Sequence, residues 1–103
     1  MNNEDFLTEL SNSHDRSKRL LIKKAIEYST GKDRLEQFHR AGHAQNISAS
    51  SALIGMATKH FTSIADMAKN PLDFSLEQWD EKITDLRNYT YLLDALIRDL
   101  SYE

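Results

Sequence analysis

A chain of 103 residues with 28% charged and 40% hydrophobic side chains has the size and mix of one water-facing domain with a modest core. Its net charge of −3 argues against general coating of nucleic acid, and no apolar run approaches the ~20 residues that span a bilayer. Cysteine is absent, which excludes a disulfide framework, a thiolate nucleophile and a cysteine zinc site; the acidic start MNNEDFLTEL lacks the pattern of a secretory signal. A reducing cytoplasm is the expected compartment.

Three glycines and one proline leave few helix breakers, and no stretch alternates as a strand would. The sequence therefore predicts an all-α fold. Asn3, Glu4 and Asp5 can start a short helix carrying Phe6, Leu7 and Leu10. Ser11 to Ser13 offer caps for a second, about His14 to Ser29, with Leu21, Ala25 and Tyr28 inward; the two can equally be one bent helix. RSKRLLIKK, Arg16 to Lys24, is a local basic run that reads as a solvated helix face before a phosphate patch. Gly31 is placed to terminate this helix.

Gly31 to Ala44 reads as a short helix with Leu35, Phe38 and Ala41 inward, ending near Gly42. Asp33 at its start suits the helix dipole, and Arg34 can reach a phosphate or a buried carboxylate. His39 and His43 have the spacing of a metal pair but lack the further ligands of a zinc protease site. Ser48 then caps a longer helix from Ala49 to about Lys69. Its inner face is Leu53, Met56, Ala57, His60, Ile64 and Met67, widened by Ile54 and Phe61. Asn70-Pro71 stops it, since the residue before proline avoids helical geometry.

The final helix has the clearest start. Ser75 and Gln78 have the spacing of a capping box, and Phe74 and Trp79 that of a hydrophobic staple. Its apolar stripe runs Trp79, Ile83, Leu86, Thr90, Leu93, Ile97, Leu100, a seven-residue repeat suited to another helix or to a second copy. The expected architecture is a single domain over residues 1–103, a small helical bundle of two long antiparallel helices with shorter N-terminal ones.

The chemistry gathers on the two long helices. Glu81, Asp85, Asn88 and Leu92 line up along one side of the last, with Asp85 inside the edge of the apolar arc. A carboxylate there is costly to bury unless paired or metal-bound. A ligand or metal role and an ion pair with a lysine of another helix both account for it. On the preceding helix, His60 lies near the centre of the apolar face, with Lys59, Ser63 and Asp66 on its flank. Packed antiparallel, these would form a cluster in which Asp66, Glu81 and Asp85 hold Mg²⁺ and Arg34, Lys59, His60 and Asn88 contact a phosphate-bearing ligand. The same composition also suits a structural ion-pair network.

The stretches YSTGKDRLEQF, KHFTSIADM and WDEKITDLRNYTYLL resemble small all-α proteins of bacteriophages and prophages, similar to the nucleotide-modification-associated and MazG-like group of helical nucleotide pyrophosphatases. The resemblance spans Tyr28 to about Ile97, most recognisably at Glu81, Asp85, Leu86, Asn88 and Tyr89. It implies a protein of a bacterial host's cytoplasm that binds a nucleotide with Mg²⁺ between two helices. Glu81 and Asp85 match the second acidic motif of that group. The first, E-E-x-x-E, has no counterpart, and Lys59, His60 and Asp66 stand in its place. Hydrolysis therefore stays open beside binding alone. The other class of function is a non-enzymatic helical module that forms a homodimer and binds a host or phage protein.

Overall fold

The computed structural model describes residues 1–28 and 33–101 and is all-α. Helix α1 covers Asn3–Tyr28, α2 Glu36–Gln45, α3 Ala49–Ala68 and α4 Leu76–Ser101, with a short 3-10 turn at Pro71–Asp73. Among the described residues there is no strand, and no helix is long and apolar enough to cross a membrane.

Helix α1 is one uninterrupted helix as long as α4, the single-helix alternative rather than two shorter helices. No glycine or proline falls within it. The Ser11–Ser13 stretch does not act as a cap, because the Ser13 hydroxyl accepts from Arg16 Nη2 at 2.9 Å rather than from backbone. The true cap is Asn2, whose Oδ1 accepts from the Asp5 N–H at 2.8 Å. The expected stop at Gly31 and the Tyr28 side chain lie outside the described residues.

At the start of α2, Asp33 Oδ1 accepts from the Leu35 N–H at 2.9 Å. The helix runs past Gly42 and ends at Asn46, which takes the left-handed conformation (φ 56°) that asparagine tolerates. Gly42 has a packing role instead. A Cβ there would lie 2.8–2.9 Å from the Ile47 carbonyl oxygen, Ala49 N and Ser48 C. That close approach lets the chain fold straight back into α3, whose first turn is capped by Ser48 Oγ accepting from Ser51 N at 3.0 Å.

The signals before α4 are realised in full. Ser75 N donates to Gln78 Oε1 at 2.8 Å and Gln78 N to Ser75 Oγ at 3.1 Å. Phe74 and Trp79 meet edge to face with ring centroids 6.4 Å apart, and Trp79 Nε1 donates to the Pro71 carbonyl at 2.9 Å.

Leu35, Phe38, Leu53 and Leu96 form the buried core, with Met56, Tyr89, Leu92 and Leu93 packed against it. At about 1.5–3 kcal/mol for each fully buried large apolar side chain, this small set holds α2, α3 and α4 together. The pairs Leu53–Leu96 and His60–Tyr89 show that α3 and α4 run antiparallel. Helix α1 adds nothing to this core and, among the described residues, packs on α4 alone.

That arrangement displaces the apolar stripe expected for α4. Ile83, Ile97 and Leu100 are substantially exposed, whereas Thr84, Asn88 and Leu96 are buried. Helix α4 is flanked by α3 on one side and α1 on the other, and its α1 side is polar. Ser17, fully buried, accepts from Arg87 Nε at 2.7 Å, and Arg16 pairs with Asp80 at 3.6 Å. On α3, Ile54 and Phe61 likewise face outward rather than widening the inner face.

Candidate functional site

The four helices come together around one cavity of about 220 Å³. Helix α4 supplies Asp85, Asn88, Tyr89 and Leu92, spaced so that successive turns present them to one side. Leu21 and Lys24 enter from α1, Arg34 and Gln37 from the start of α2, and His60 from α3.

Asn88 is its most unusual member. It is only 6% exposed, and among the described residues neither its Oδ1 nor its Nδ2 has a hydrogen-bond partner. Arg34 Nη1 is likewise buried, with no partner among the described residues. An unsatisfied buried polar group costs about 1–3 kcal/mol, and two such residues meet on this cavity wall, while Arg16 Nε is a third, away from it.

Asp85 is partly buried and lies 3.7 Å from Lys24 Nζ, an ion pair that ties α1 to α4 at the cavity rim. The His60 and Tyr89 rings pack with centroids 5.1 Å apart at 43°. Burial first, and the neighbouring Asp85 charge second, raise the Tyr89 pKa above its ordinary 10.0. The phenol is thus held as a neutral donor throughout the physiological range. The lining therefore offers two cations, one carboxylate, two amides and an imidazole–phenol pair.

Arg34, His60, Asp85 and Asn88, all singled out from the sequence, do converge here. Lys59, Asp66 and Glu81 do not: all three are exposed, and Asp66 pairs with Lys69 at 3.5 Å instead. The reason is rotational. The helix flank carrying Lys59 and Asp66 turns away from α4, and Glu81 lies a turn beyond the cavity. Among the described residues, no group of three or more His, Asp or Glu gathers as a metal site, the His39–His43 spacing included. The donor set around Asp85, one carboxylate already paired with a lysine, does not fit a metal held by the protein alone.

Leu21, Lys24, Gln37 and Tyr89 also line the cavity and carry no such mark in the sequence. Tyr89 was within reach of the sequence, because it stands four residues from Asp85 on the same helix side. Lys24 was not, since only the docking of α1 brings it to Asp85.

No family model, curated protein or solved structure matches the chain.

Proposed function

We propose that this protein is a helical nucleotide-binding module in which the cavity binds the ligand without catalysing its hydrolysis. The observation that carries this reading is Asn88, a buried amide with donor and acceptor both unpartnered on the cavity wall. A carboxamide matches the side-by-side donor and acceptor on the edge of a base such as adenine. The Arg34 guanidinium, whose Nη1 has no partner among the described residues, lines the same cavity and suits a phosphate group. The His60–Tyr89 pair adds a flat aromatic wall. A volume of about 220 Å³ is below the ~300–1,000 Å³ of pockets that enclose drug-sized ligands, so part of the nucleotide stays in solvent.

Binding is favoured over hydrolysis because Asp85 is the single carboxylate on the lining and is already paired with Lys24. A metal-assisted hydrolase needs acidic groups to hold the ion and to orient water. The resemblance to phage nucleotide-handling proteins supports the same ligand class.

The test is a thermal-shift titration with nucleoside mono-, di- and triphosphates, in chelator and with Mg²⁺, on wild type, Asn88→Leu and Arg34→Gln. A ligand that binds the native state raises the melting temperature by mass action. The expected result is a rise in wild type that persists in chelator and is lost in both variants. No rise with any nucleotide, or an undiminished rise in both variants, overturns the reading. A rise that requires Mg²⁺ and is lost in Asp85→Asn would instead make Asp85 a metal ligand.

A second reading, a module that binds a protein partner, is favoured by the exposed apolar side chains of Leu76, Ile83, Ile97 and Leu100 along α4.

A further inference from the structure

A second hollow lies beside the central cavity, an open groove of about 310 Å³ between α1 and α4. His14, Lys18, Leu21, Ile22 and Tyr91 line it, and Leu21 alone is shared with the central cavity. Its volume falls within the ~300–1,000 Å³ of small-molecule pockets.

The walls are largely carbon. The Tyr91 hydroxyl and His14 Nδ1 lie 3.2 Å apart, with the rings edge to face at 5.9 Å. That bond satisfies one polar atom on each ring, so what the pair offers a ligand is mostly hydrocarbon surface. Leu21 and the half-exposed Ile22 add aliphatic surface. The apolar path continues past His14, because Leu10 and Leu7, 50% and 60% exposed, stand one and two turns earlier on the same side of α1. A strip of this shape suits a linear chain rather than a compact ring.

Lys18 is the one permanent charge on the lining. Among the described residues it makes no ion pair, whereas Arg16 and Lys24 of the same helix are matched with Asp80 and Asp85. The groove lining has no carboxylate, in contrast to the central cavity with its Asp85. The run from Arg16 to Lys24 holds five cations and no acidic residue, so the local charge is positive although that of the chain is not.

We propose that this groove binds a single-chain anionic amphiphile, an alkyl carboxylate whose chain lies along Leu21, Ile22 and Tyr91 and whose carboxylate meets the Lys18 ammonium. The lysine stem covers the chain while its charged head stays at the rim, placed for a charge-assisted hydrogen bond. A cationic amphiphile meets the same walls but the wrong charge. The site is separate from the nucleotide cavity and does not depend on that reading.

Titration of the full chain with decanoate, decanol and decyltrimethylammonium, each below its micellar concentration and followed by NMR, tests this. Decanoate should give saturable shifts at Leu21, Ile22 and Tyr91. Each methylene added along a series of shorter carboxylates should tighten binding about three- to fourfold. Decyltrimethylammonium should bind more weakly than decanol. Lys18→Met should weaken decanoate about two- to fivefold, the scale of a solvent-exposed ion pair, and leave decanol unchanged. Ile22→Ser, at an exposed position, should weaken decanoate and decanol alike. Equal binding of the cationic and anionic probes, or unchanged decanoate affinity in Lys18→Met, overturns the proposal. So do decanoate shifts that never saturate, or that fall on Asn88 and Tyr89 instead. Retention on anionic vesicles without binding of free decanoate would overturn it in favour of a lipid surface.

Discussion

The Ser17 hydroxyl accepts a 2.7 Å hydrogen bond from Arg87 Nε, joining two helices through residues 70 positions apart. Arg87 also reaches Thr84 Oγ1 at 3.5 Å, so the seam between α1 and α4 is centred on a guanidinium rather than on apolar contact. Removing the acceptor leaves part of that charge without a partner. Ser17→Ala should therefore lower stability by about 1–3 kcal/mol. Urea denaturation followed by circular dichroism measures it; an unchanged midpoint would mean that solvent already satisfies Arg87.

Asn88→Leu should act in the opposite direction. It replaces an amide with two unpartnered atoms by an apolar side chain of similar size. The variant should gain about 1–3 kcal/mol, the cost attached to an unsatisfied buried group, while losing ligand binding. A destabilised Asn88→Leu in the same denaturation experiment would reveal that the amide is satisfied in the native state, and the nucleotide reading would lose its main support.

Gly42 and Gly55 make a matched pair within adjoining helices. Nothing lies within 4 Å of a Cβ added at Gly55, so Gly55→Ala should stabilise α3 by about 0.5–1 kcal/mol. Gly42→Ala has the same propensity gain but drives the methyl into backbone of the turn at 2.8–2.9 Å. Overpacking costs about 1–3 kcal/mol, which exceeds the gain, so the net effect is loss. Melting temperatures that move the same way in both variants would contradict this assignment of the α2–α3 turn.

Tyr89 predicts a pH dependence. Its folded pKa is raised above 10.0, first by burial and then by the Asp85 charge. The unfolded chain therefore releases this proton at lower pH than the native state does. The associated stability is full below pH ~10 and is lost as pH rises through the folded value. The stability of wild type relative to Tyr89→Phe should accordingly fall across the alkaline range and stay flat below it. A constant difference throughout would indicate a phenol solvated as in the unfolded chain.

The sequence disclosed boundaries better than faces. Ser48, Ser75 with Gln78, and Asn70-Pro71 act through neighbours a few residues away, so their consequences are local and readable. The face of α4 depends on what surrounds it. Ile83 and Ile97 make the more convincing stripe, yet Thr84 and Asn88 are the ones buried. The polar partners of that buried side, Ser17, Arg16 and Lys24, belong to a helix some 70 residues earlier, and no periodicity encodes the docking. For the same reason four of the seven residues marked from the sequence meet at the cavity while Lys59, Asp66 and Glu81 face solvent. Asn88 stood out because an amide beside an apolar arc is an anomaly in one helix, whatever the neighbouring helices do.

Because the core is built from α2, α3 and α4 alone, α1 can lift away as a cooperative unit with that core still folded. Leu21 and Lys24 would leave with it, and the wall carrying Asp85 and Asn88 would be laid open. The free energy of that opening should lie below the free energy of unfolding the whole chain. Native-state hydrogen exchange should divide the backbone accordingly, with the amides of α1 released before those of α3.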